Sequence, residues 1–93
     1  MLEHVRALGP VIRQTVERYG ATNPRIFGSV ARGDDREGSD VDILVDNVRL
    51  SLLRLVRLED ELASLLGVSV DVVLEEEVPA RARARLMADV VPL

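Results

Sequence analysis

The chain has 93 residues, 47% of them hydrophobic and 30% charged, which suffices for one compact domain (residues 1–93) around one modest core. Its formal net charge of −4 argues against a general nucleic-acid coat, which needs a basic face to release counterions. The absence of cysteine excludes disulfides, thiolate metal sites and a cysteine nucleophile, and the absence of lysine excludes a Walker-type phosphate loop. All twelve basic side chains are arginine, so any cationic contact to a phosphate must come from a planar guanidinium fork. No apolar run approaches a membrane span, and Glu3 with the Gly9-Pro10 break does not fit a secretory signal, so a cytoplasmic location is expected.

Leu2, Val5, Leu8, Ile12, Val16 and Tyr19 recur at helical spacing and predict an amphipathic helix from about 2 to 19, ended by Gly20. Pro10 either kinks that helix or starts a shorter one at the first-turn position proline tolerates. His4, the single histidine, reads as a solvated helix position. Ala21 to Pro24 is a turn, and Arg25-Ile26-Phe27 a short strand leading directly into Gly28. A second strand runs from Asp40 to Asp46, and Asn47 to Leu50 connect it to a helix capped by Ser51 and stopped by Gly67. Leu52, Leu55, Leu58, Leu62 and Leu65 form that helix's apolar stripe, and Arg57 and Glu61 are spaced to pair.

Val68 to Leu74 is a third strand, with Val70, Val72 and Leu74 on one face and Ser69, Asp71 and Val73 on the other. Asp71 is either an edge-strand carboxylate in water or one that faces a cation, and the pattern alone leaves both open. Glu75-Glu76-Glu77 precede a final helix from about Pro79 to Val90. On it only Arg81 and Arg85 share a face, expected to be a solvated one that offsets the acidic run.

The stretch from Gly28 to Asp42 carries the chemistry. A Gly28-Ser29 pair leaving a strand lets backbone N–H groups approach an oxyanion, and Ser29 adds a hydroxyl. Arg32, one helical turn on, can point back over the same phosphates; Gly33 reads as the cap of that turn. Asp40 and Asp42 lie on one side of their strand because side chains alternate, which sets their backbones roughly 6.5–7 Å apart. Two carboxylates at that spacing can converge on one Mg²⁺ or bracket a pair of ions, an arrangement suited to in-line displacement at a nucleotide phosphate. Asp34 and Asp35 fall in the loop, Asp46 lies too far along the strand to share an ion, and Ser39 reads as a turn residue fixing the strand's start.

Gly-Ser-x-Ala-Arg-Gly, a short loop and Ser-Asp-x-Asp, here Gly28 to Gly33 and Ser39 to Asp42, is similar to the signature of the DNA polymerase β superfamily of nucleotidyltransferases. At this length the chain resembles the minimal nucleotidyltransferases, known chiefly as antitoxins paired with HEPN ribonuclease toxins. The resemblance covers roughly residues 24 to 74 and implies an α/β domain: a small mixed sheet, helices mainly on one face, acids on the open one. It also implies that Asp71 is the third metal-binding acid and a candidate general base toward the acceptor hydroxyl. The implied reaction is Mg²⁺-dependent transfer of AMP from ATP to a hydroxyl, by precedent a tyrosine, of a HEPN toxin held in a complex with this chain. Two rivals are a non-catalytic antitoxin acting by binding alone and a transferase acting on a small molecule or an RNA end. Only Tyr19 and Phe27 could stack a base, which weighs against RNA.

Overall fold

The first nineteen residues fold as two helices rather than one. In the computed structural model, which describes residues 1–46 and 50–93, α1 (Leu2–Ala7) ends at Leu8 and α2 (Gly9–Arg18) carries Pro10 in its first turn. Proline has no N–H to donate, and the first turn is where none is needed, so the chain restarts there. His4 is exposed, and its Nε2 lies 3.3 Å from the carbonyl oxygen of Leu66.

The first strand, β1 (Thr22–Phe27), is longer than Arg25–Phe27 because Thr22 still pairs with the neighbouring strand across an irregularity. Asn23 takes the left-handed conformation there (φ 55°), which asparagine tolerates better than most residues, and its amide donates to Asp46 Oδ2 at 3.0 Å. Next come α3 (Gly28–Arg32), closed by Gly33 at φ 78°, and β2 (Val41–Asp46). The expected connection through Asn47 falls outside the described residues.

Helix α4 (Leu52–Leu66) has the ends the sequence predicts. The Ser51 hydroxyl accepts the Arg54 N–H, and Gly67 closes the helix at φ 77°. Then follow β3 (Val70–Leu74), a 3₁₀ turn over Glu75–Glu77, α5 (Ala80–Ala88) and β4 (Val91–Pro92). The last of these strands has no counterpart in the sequence reading, which carried the final helix to Val90.

The strand order is β3-β2-β1-β4. β2 and β3 run parallel with α4 as their crossover, while β1 is antiparallel to both β2 and β4. The sheet is thus mixed, as expected. Alternation along the strands splits it into two faces. Ile26, Ile43, Val45, Val72 and Leu74 turn into the core, against Ile12, Val16, Leu58 and Leu62, and all nine are buried. Phe27, Asp42 and Asp71 share the other face, since Phe27 pairs with Asp42 and Asp42 with Asp71. That face is the one available for chemistry.

The leucine stripe of α4 holds at Leu55, Leu58, Leu62 and Leu65, all buried in or packed against the core, and fails only at Leu52. Leu58, Leu62 and Leu66 are buried, whereas Leu52 is 76% exposed and stands beside the exposed Leu53 and Val56. Glu61 does not pair with Arg57. It reaches α2 instead, bonded by Arg18 and, at 3.4 Å, by the Tyr19 hydroxyl. Among the described residues no helix is long and apolar enough to cross a membrane.

Candidate active site

Asp42 stands at the centre of the open face. It lies in β2 between Phe27 on β1 and Asp71 on β3, each its direct register partner. Neighbouring strands are about 4.8 Å apart, so the parallel register puts the two carboxylates side by side. Asp71 belongs to the edge strand and is solvent-exposed, yet it stands next to Asp42. Of the two readings of Asp71, the edge position in water holds, and the register sets that edge carboxylate beside Asp42.

Asp40 lies one residue before β2 begins, and its charge also reaches Asp42. Burial raises the Asp42 pKa above the ordinary aspartate value, and the charges of Asp71 and Asp40 raise it further against the opposing pull of Arg32. Three carboxylates thus crowd one half-buried position.

Gly28 explains how the corner closes over this group. It turns at φ 74°, and a Cβ there would lie 2.4 Å from Asp42 Oδ2 and 3.3 Å from Asp42 Cγ. Only glycine supports both the backbone angle and the approach of that carboxylate. Ser29 follows in the first turn of α3, and Arg32 ends the same helix. The Arg32 guanidinium is half-exposed, with Nε 3.3 Å from Asp34 Oδ2 and Nη1 3.7 Å from Asp89 Oδ2. Ser39 acts as the turn residue expected of it: its Oγ accepts the Arg36 N–H at 2.8 Å, and its own N–H donates to the Arg36 carbonyl at 2.9 Å.

The donor set is wholly oxygen, which suits a hard divalent cation such as Mg²⁺, and the like-charge crowding at Asp42 is what such an ion would relieve. Among the described residues no three His, Cys, Asp or Glu side chains are already closed around a single point. Mg²⁺ does not require this, since it keeps several waters and is held through one or two carboxylates together with substrate phosphates.

Two residues of the site's surroundings escaped the sequence reading. Glu59, on α4, accepts the Val72 N–H at 2.8 Å and so covers an outward-facing amide of the edge strand beside Asp71. Burial, with the charges of Asp71 and Asp60, raises its pKa despite that hydrogen bond. Arg25 is the second, only 7% exposed on β1. Its guanidinium bonds Asp46 and lies 3.6 Å from Glu75 Oε1, while its Nε donates to the Asn23 carbonyl at 2.9 Å. Burial opposes the ionisation of Asp46, but the hydrogen bonds from Asn23 and Arg25 and the Arg25 charge outweigh it and lower its pKa. Asp46 is therefore committed to Arg25, in keeping with its omission from the site.

A cleft of about 230 Å³ opens beside Gly28. Phe27 and Arg32 form its inner wall, and Arg85 and Leu86 of α5 form the outer one. Helix α5 carries no buried residue. Ion pairs fasten it at Arg83, to Glu75 at 3.4 Å, and at its C-terminal Asp89, to Arg32 at 3.7 Å.

Comparison with known proteins identifies the family and the fold. Residues 11–91 match the family described as the nucleotidyltransferase domain. The protein adenylyltransferase MntA of Thermococcus cleftensis is 41% identical over 76 residues, 81% of this chain and 77% of that protein. A solved structure described, provisionally, as a minimal nucleotidyltransferase superimposes with a TM-score of 0.85 at 42% identity, covering 99% of this chain and 95% of that one. Another, described as a toxin–antitoxin with AMP-PNP, superimposes with a TM-score of 0.77 at 22% identity, covering 90% of this chain and 70% of that one. At that identity the likeness is one of fold.

Proposed function

The chain belongs to the nucleotidyltransferase domain family, and we propose that it transfers AMP from ATP, with Mg²⁺, to a hydroxyl group of a partner protein. The observation that carries this reading is the pairing of Asp42 with Asp71 across two strands, with Asp40 in electrostatic range and Gly28 packed against the Asp42 carboxylate. Asp40 and Asp42, with Asp71 beside them, would hold the metal, whose chemistry is to neutralise the charge of the triphosphate and of the pyrophosphate as it departs. Gly28 leaves room for the phosphates to approach the backbone. Ser29 offers its hydroxyl and N–H, and Arg32 a guanidinium from one turn further on.

The acceptor oxygen attacks the α-phosphorus and forms the new P–O bond; the bond to the β-phosphate's bridging oxygen breaks, and pyrophosphate leaves. Asp71, exposed on the edge strand beside Asp42, takes the acceptor's proton. A carboxylate serves as base because the sole histidine, His4, lies at the far side of the core against α4.

The partner is proposed to be a HEPN-type toxin modified on a tyrosine and thereby silenced, with this chain as its antitoxin. The names of the relatives support that reading: one is a protein adenylyltransferase and another is a toxin–antitoxin with AMP-PNP. The exposed Leu52, Leu53 and Val56 also suit a chain that works against another protein surface. AMP added near a ribonuclease site would oppose RNA binding through its charge and bulk. The reading places the reaction in the cytoplasm, where Mg-ATP is supplied.

Intact mass spectrometry of a HEPN-type toxin co-expressed with this chain tests it. After incubation with the purified chain and Mg-ATP, the toxin is expected to gain the mass of one or more AMP groups, with tyrosine as the modified residue. A toxin whose mass does not change contradicts the enzymatic reading.

A further inference from the structure

Three arginines alternate along α5, at positions 81, 83 and 85, and the helical turn sends Arg83 to a different side from Arg81 and Arg85. Arg83 is engaged: its Nη1 lies 3.4 Å from Glu75 Oε1, and its Nη2 donates to the Glu75 carbonyl at 3.4 Å. Arg85 instead lines the cleft beside Gly28 and has no hydrogen bond or ion pair with any described residue. Across the cleft stands Arg32, whose charge is already met by Asp34 and Asp89. One wall therefore presents a compensated guanidinium and the other a free one.

The geometry points to Arg85 as a phosphate-binding residue, closing from α5 on the β- and γ-phosphates of the nucleoside triphosphate whose tail enters at Gly28. This assignment rests on the nucleotide-binding reading of the site and deepens it. Three features support a polyphosphate rather than another ligand. The cleft's unmatched charge is positive, and arginine's planar fork fits phosphate oxygens in bidentate fashion. Phe27 and Leu86 give it apolar walls, so charges meeting there are less screened by water. Its volume of about 230 Å³ is below that of sites that enclose a whole drug-sized ligand, and suits a phosphate tail better than a base with its sugar.

Calorimetric titration of the full chain with ATP and with AMP, both in Mg²⁺, tests the assignment. Arg85→Gln is expected to weaken ATP binding about tenfold, the scale of one charge-assisted contact, while AMP binding stays as in the unsubstituted chain. Arg85→Lys, which keeps the charge and loses the fork, should fall between. Arg81→Gln, on the same helix but outside the cleft, should bind ATP normally. Equal ATP affinity for the unsubstituted chain and Arg85→Gln overturns the assignment alone, and so does an equal loss in Arg81→Gln, which would mark a general charge effect. An unsubstituted chain that binds no nucleoside triphosphate overturns the nucleotide reading and the assignment with it.

Discussion

Asp42→Asn should abolish transfer while leaving a more stable protein. Asp42 is the carboxylate whose position the charges of Asp40 and Asp71 both reach, and its removal takes away the central member of the proposed metal-holding group. Metal assistance supplies several kcal/mol of charge stabilisation, so the loss in rate should be about 10³-fold or more. The gain in stability follows from the sign of the pKa shift. Because the folded-state pKa of Asp42 is raised, the folded chain holds that proton more tightly than the unfolded one. Its contribution is therefore most favourable at low pH and is lost as pH rises from the ordinary aspartate value through the raised one. At neutral pH the ionised group is a net burden on the metal-free fold, and asparagine removes it. Thermal unfolding without divalent cation should show a higher Tm for Asp42→Asn, and adding Mg²⁺ with ATP should raise the Tm of the unsubstituted chain alone. Asp46, whose pKa is lowered, works in the opposite sense and contributes stability that disappears as pH falls below the ordinary aspartate range.

The second large effect is expected at a residue with no side chain. Gly28→Ala places a methyl group 2.4 Å from Asp42 Oδ2 at a backbone angle of φ 74°. The angle itself costs about 1–2 kcal/mol for an L-residue, which a folded domain of this size can survive. The clash is relieved cheaply, by swinging the Asp42 carboxylate away, and that movement is the damaging one. A ligand displaced by about 1 Å costs roughly 10²-fold in rate, so activity should collapse in a protein whose circular dichroism is nearly unchanged. Full activity in Gly28→Ala would mean that Asp42 is not held where the reaction needs it.

The parts of this molecule set by local chemistry were legible in the sequence. Ser51 and Gly67 mark the ends of α4 because a hydroxyl cap and a left-handed closing residue act within one turn. Gly33 closes α3 for the same reason, and the alternation of Asp42 with the buried Val41 and Ile43 turns it away from the core. What remained hidden depends on residues distant in the chain. Two residues, Val91 and Pro92, make β4 only because Arg25 and Ile26 are there to pair with them, and the proline is tolerated at the sheet's edge. Arg25 looks like an exposed alternating position until Asp46 and Glu75 surround it. Glu59 sits on a helix flank that gains meaning only once β3 presents the Val72 N–H to it. Leu52 fits the leucine spacing but is the first residue of α4, and it stays in water.

The acidic group suffers a similar ambiguity. The pattern leaves Asp71 either in water at an edge or facing a cation, because a strand's place in the sheet and its register are set independently. The parallel register with β2 brings Asp71 beside Asp42 at the edge, where an acceptor can reach it from solvent. A half-buried Asp42 beside an exposed, edge-strand Asp71 makes a division of labour possible, with Asp71 nearest the incoming hydroxyl.

An anomalous-difference map from crystals grown with Mn²⁺ and a non-hydrolysable ATP analogue is the most direct test of that arrangement. The expected result is metal density against the Asp40 and Asp42 carboxylates on the side of Asp71, with the triphosphate at Gly28 and Ser29. Manganese bound elsewhere, or a nucleotide seated away from that corner, would contradict it.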